Sequence, residues 1–128
     1  MGDCVSKAVV VVLLFLIIVQ ACNPSLSQIR NSNPDIILDS NKTPKSVANC
    51  ITYKFQGGYT LAGGNWDHTN ISEQEGIYHT TTYWNAGGLG GQVQPAFETT
   101  IKPNGRGGST IEIRIGAGNP LKSIQECI

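Results

Sequence analysis

Two seven-residue phrases, KSVANCI (Lys45 to Ile51) and KSIQECI (Lys122 to Ile128), bracket the body of this 128-residue chain. Each follows a proline, Pro44 or Pro120, and each carries its cysteine next to last. Proline suits a first helical turn, because its φ is already set and its missing N–H would have had no partner there. Thr43 and Asn119 stand just before the prolines, where a side-chain oxygen can cap a helix. Apolar residues then recur at helical spacing: Val47, Ile51 and Phe55 in the first copy, Leu121, Ile124 and Ile128 in the second. Cys50 and Cys127 sit beside those stripes, and Gly57 and Gly58 stop the first helix. CITYKF also contains strand-favouring residues, but the cap, the proline and the four-residue period decide for a helix. The sequences after the two phrases do not match, so they are one local solution used twice rather than a duplicated unit.

Between the phrases the period changes from four to two. IYHTTTYW (77–84) is β-branched and aromatic. In QPAFETTIK (94–102) Phe97, Thr99 and Ile101 share a face. PNGRGG (103–108) is a turn of hairpin type. STIEIRIG (109–116) alternates, with Ile111, Ile113 and Ile115 inward and Thr110, Glu112 and Arg114 toward water. YTLAGG (59–64) is a candidate for a further short strand. One buried face and one wet face describe an antiparallel sheet covered on one side. The expected fold is α+β: an N-terminal helix, a three- to four-stranded antiparallel meander and a short C-terminal helix, with the helices on one sheet face.

The first residues do not belong to that body. AVVVVLLFLIIV (Ala8 to Val19) is an unbroken apolar run of 12 residues. A membrane span needs about 20, so the run fits the apolar centre of a secretory signal. It ends in VQAC (Val19 to Cys22), which resembles the lipobox of bacterial lipoproteins. That resemblance implies cleavage before Cys22 and acylation of its thiol and new amino group. By resemblance to enteric sorting signals, Asn23 in place of Asp implies the outer membrane, with the domain facing the periplasm. The expected organisation is a signal peptide at 1–21, a flexible Asn/Ser/Pro-rich tether at 22–42 and a folded domain at 43–128. Within the tether, DIIL (35–38) is an apolar island able to dock on the domain or add an edge strand.

Removing residues 1–21 leaves Cys22, Cys50 and Cys127. With lipid on Cys22, one pair remains, and an even pair in an exported chain reads as a disulfide. Taken together, the Pro-started helix with VANCI-like wording, the Gly-Ser hairpin turn and the closing cysteine helix resemble small bacterial or prophage-encoded envelope lipoproteins of uncharacterised type. That resemblance covers residues 43–128 and carries no catalytic residues.

Nine basic and nine acidic residues give zero net charge, and no basic stripe occurs. Nucleic acid is therefore excluded as an expected partner. The two histidines, His68 and His79, have no i, i+4 partner, and neither CxxC nor HxxxH is present, so no metal or other cofactor is expected. GGSTI does not place Ser109 in a nucleophile elbow, and Glu73, Glu75 and Glu98 show no paired pattern. The best candidate patch is Tyr59, Trp66, Tyr83 and Trp84, which stand among glycines and polar residues. Exposed rings of this kind bind sugars or proteins; otherwise they fill the core. Trp66, outside the strand patterns, is the ring with most claim to exposure.

The expected function is a membrane-tethered, non-catalytic binding or structural domain, held by acylated Cys22 and meeting an envelope protein or glycan. The alternative is a small exported glycan-acting enzyme or a protein resembling lysozyme inhibitors. As an enzyme it requires Trp66 and Tyr83 to flank a cleft holding a carboxylate such as Asp67.

Overall fold

A computed structural model describes residues 24–56, 58–59, 65–85 and 92–128. In chain order the elements are α1 (Leu26–Asn31), β1 (Ile36–Ser40), α2 (Pro44–Lys54), β2 (Gly58–Tyr59), β3 (Asn65–Gln74), β4 (Ile77–Asn85), β5 (Val93–Pro103), β6 (Ser109–Ile115) and α3 (Leu121–Gln125). The fold is α+β. Five longer strands form one antiparallel sheet, extended at one edge by the two-residue β2, in the order β1-β6-β5-β4-β3-β2.

The sheet acquires its buried face from period-two alternation. Register places Phe97 opposite Ile115, Thr99 opposite Ile113 and Ile101 opposite Ile111. The helical stripe of α2, Val47, Ala48, Ile51 and Phe55, packs on that face. Phe55, Trp66 and Phe97 meet edge to face with centroids 4.9–5.6 Å apart, an arrangement that adds about 1 kcal/mol per pair to plain burial. Threonines share this core because their hydroxyls pair with each other. Thr80 meets Thr99 at 2.6 Å and Thr69 meets Thr82 at 2.9 Å, so no buried hydroxyl in these pairs loses its partner.

Both cysteine phrases begin as helices on this face, but the second helix ends at Gln125, so Cys127 lies in a turn and Ile128 after it rather than on the helix. Thr43 caps α2 by accepting from the Ser46 N–H, with Pro44 in the first turn. The second helix begins one residue later than expected: Pro120 is the N-cap, and Asn119 stands before it, its side-chain oxygen accepting from the Leu121 N–H at 3.4 Å. Cys50 and Cys127 are disulfide-bonded, with Cα atoms 5.7 Å apart. Around that bond Lys54 pairs with Glu126, and the Lys42 ammonium donates to the Cys127 carbonyl at 3.0 Å.

Three expectations are corrected. Residues 24–42 are not a flexible tether but part of the fold. Ser25 and Gln28 form a capping box that starts α1, Ile29 is buried, and β1 pairs along β6 from Ile36 opposite Ile113 to Ser40 opposite Ser109. The open edge of β6 supplies hydrogen bonds that the polar composition of this segment does not advertise. Second, Trp66 does not lie outside the strands: NWDHTN opens the ten-residue strand β3. Third, the far face of the sheet is not simply wet. Arg30 and Ser32 bind side chains of β5 and β6 there, so α1 covers part of the face opposite α2 and α3. The expected signal peptide and Cys22 lie outside the described residues.

Candidate functional site

The far face of the sheet carries the largest assembly of charged side chains. Alternation that sends Phe97, Thr99 and Ile101 inward sends Glu98, Thr100 and Lys102 outward, and the same holds for Glu112 and Arg114 on β6 and for His79 and Thr81 on β4. These side chains, apart from Thr81, line a groove of about 510 Å³ together with Arg30, Ser72 and Ile77.

The charges in the groove are engaged. The Arg30 guanidinium donates to the Glu98 carboxylate at 2.7 Å and reaches the Thr81 hydroxyl. Glu98 is only 4% exposed, so this pair stands between a carboxylate and a bare burial cost. Glu112 accepts from Lys102 at 2.6 Å and from Arg114 at 3.1 Å. Arg114 also donates to the Thr100 hydroxyl and to the Ser32 carbonyl, which ties the end of α1 to the sheet. The Lys102 hydrogen bond holds the Glu112 carboxyl below its ordinary range, partial burial works against it, and Arg114 adds to the lowering.

Two outcomes follow. Arg30→Ala is expected to destabilise the protein by about 2 kcal/mol, less than for a fully buried pair because the arginine is half exposed. Chemical denaturation reads the loss, and adding Glu98→Gln should recover part of it, since the neutral amide leaves no buried charge. A carboxyl lowered by folding contributes stability above its unfolded pKa and loses it as pH falls through the folded value. Glu112→Gln should therefore cost about 1 kcal/mol at neutral pH. The difference from the parent protein should close in urea titrations well below the ordinary Glu range of about 4.

The four aromatic residues of the expected patch do not form one surface. Trp66 is in the core, 9% exposed, against Phe55 and Phe97. Trp84, opposite it on β4, packs half-buried against the same core, and its buried indole N–H has no partner among the described residues. Tyr83 belongs to the far face. Its ring stacks on His68 at 4.6 Å, and the His68 Nδ1 lies 2.5 Å from the Asp67 carboxylate. Tyr59 pairs with Asn65 in β2, and its side chain is outside the described residues. The cause is a bulge: the register shifts between Trp66 and His68, so Asp67 is an extra residue and Trp66 turns inward. Trp66 and Tyr83 cannot flank one cleft from opposite faces of the sheet.

His68 and His79 lie on the exposed side, and among the described residues no group of three or more His, Cys, Asp or Glu is arranged to hold a metal ion. Strand alternation makes the groove residues readable as one face, but only the register of β5 and β6 brings Glu98, Lys102, Glu112 and Arg114 together, and only the packing of α1 adds Arg30. No protein-family model, no curated protein and no solved structure matches the chain.

Proposed function

We infer that the protein is an exported lipoprotein of a bacterial envelope, acylated at Cys22, which presents a small non-catalytic binding or structural domain at a membrane surface. The observation that carries this reading is the apolar run Ala8 to Val19 ending at Val19-Gln20-Ala21-Cys22, a translocation signal closed by an acylation site. The bonded pair Cys50 and Cys127 supports it, because such bonds persist in oxidising compartments. Resemblance to enteric sorting favours the outer membrane. A surface suited to an envelope protein or glycan is the far-face groove, whose hydroxyls, imidazole and paired charges fit a polar partner.

The groove also bears on the catalytic alternative. Glu98 and Glu112 each accept an ion pair from a neighbouring cation, which suits fixed recognition or structure better than proton transfer. The test is export and retention. The parent protein should stay in the membrane fraction after carbonate extraction, and Cys22→Ser should accumulate with its signal uncleaved. A Cys22→Ser protein processed and retained like the parent would remove the anchor from the account.

A further inference from the structure

We propose that the anchored domain stands with one end of its sheet against the bilayer: the end formed by Pro24, Asn65, Asn85, Val93 and residues 116–118. The inference rests on the lipoprotein reading and deepens it by stating which surface meets lipid.

The first support is reach. A Cβ built on Gly116 would come 3.1 Å from the Pro24 ring and 2.6 Å from the Ile29 side chain, so Pro24 is seated beside the end of β6. Only Asn23 separates Pro24 from Cys22. Two trans peptide steps hold the two Cα atoms within about 8 Å. The 20 or so residues that would have let the domain swing away are instead consumed by α1 and β1. Acyl chains on Cys22 therefore draw this end of the sheet to the interface.

The second support is charge. Antiparallel register places the ends at Ile36, Asn65, Asn85, Val93 and Ile115 together. The sequence flanking them carries no Asp, Glu, Lys or Arg in 23–29, 58–66, 83–97 or 115–121. Among the described residues near this end, Val93 is 45% exposed, and the Asp35 carboxylate is occupied by the Ile115 N–H at 2.6 Å. The exposed charges beside this end are Asp35, Asp67 and the mutually paired Lys54 and Glu126 where α2 finishes. The opposite end gathers Asp39, Lys42, Lys45, Glu73, Glu75, Lys102 and Arg106. A lipid interface accepts uncharged and apolar groups and rejects buried carboxylates. Strands of ten or eleven residues keep the charged end about 30 Å from the acyl boundary.

The test uses the full chain, expressed, acylated and purified into phosphatidylcholine vesicles. Bimane is attached at Val93→Cys or Ala117→Cys near the proposed interface, or at Arg106→Cys on the far turn, with the Cys50 to Cys127 bond left intact. Emission is compared in vesicles with and without doxyl-labelled phosphatidylcholine, so each site serves as its own reference. The expected result is about a twofold loss at Val93 and Ala117 and no loss at Arg106, since quenching needs contact with lipid. Two interface sites guard against one variant that fails to fold. Palmitate incorporation is read on the same preparations. Labelled protein with equal quenching at both ends would overturn the orientation and leave the anchor. Protein with no palmitate and no vesicle binding would overturn both.

Discussion

Gly108→Ala is expected to cost the fold about 3 kcal/mol, the upper range for forced overpacking. The added Cβ would lie 2.0 Å from the Ser40 carbonyl oxygen, 3.0 Å from the Asn104 side chain and 3.1 Å from the Asn41 Cα. The closest of these is backbone and cannot swing aside like a flexible side chain. It is held by the pairing of Ser40 with Ser109 at the end of β1, and by the Ser109 hydroxyl, which donates to the Lys42 carbonyl at 2.9 Å. Moving Ser40 therefore loosens an edge strand and the start of α2 together. Gly105→Ala in the same turn is the comparison. Gly105 has φ +75° with nothing within 4 Å of an added Cβ, so its cost is left-handed strain alone, about 1–2 kcal/mol. Urea midpoints should rank parent, Gly105→Ala, Gly108→Ala. Equal losses would show that β1 does not press on the hairpin.

Removing the disulfide should be costlier. Cys50 and Cys127 are 77 residues apart in sequence, so the bond closes a loop of most of the folded chain. In the chain-entropy account such a closure stabilises by about 4 kcal/mol. Domains of this size hold about 5–15 kcal/mol in total. The Cys50→Ala, Cys127→Ala double variant should therefore melt about 20 °C below the parent. The single variants should behave alike, and dithiothreitol should bring the parent down to the same value. A parent protein indifferent to reductant would mean that the Lys54–Glu126 pair and the Ile124 contacts already clasp the two helices without the sulfurs.

Much of this architecture is visible in the chain before any coordinates, for a physical reason. α2, β5 and β6 each bury a single side, so their apolar residues repeat at the period of the backbone. The phrases around Cys50 and Cys127 are legible for the same reason. β3 escapes because the bulge at Asp67 breaks its alternation, and because, among the described residues, β2 covers only Asn65 and Trp66, leaving the rest of it an open edge that needs fewer apolar residues. That one extra residue also turns Trp66 from an expected surface ring into a core ring. β1 is foreshadowed by the apolar island DIIL, which does add an edge strand, whereas α1 escapes because its stabilisation comes from a partner, the Glu98 carboxylate. Ser25 and Gln28 at capping-box spacing are the signal that would have found it. The groove hides more deeply. Glu98, Lys102, Glu112 and Arg114 each look like a water-facing residue of an alternating strand, and only cross-strand register makes them neighbours.

These corrections bear on the anchor. Under the proposed acylation of Cys22, a domain that starts folding at Ser25, three residues later, would be held close to the membrane rather than on a long leash. The most direct test is mass spectrometry of the mature N-terminal peptide from membranes of the expressing cell. The account predicts a peptide that begins at Cys22 and carries a diacylglyceryl group on sulfur. A chain beginning at any other residue, or beginning at Cys22 with an unmodified thiol, would contradict it.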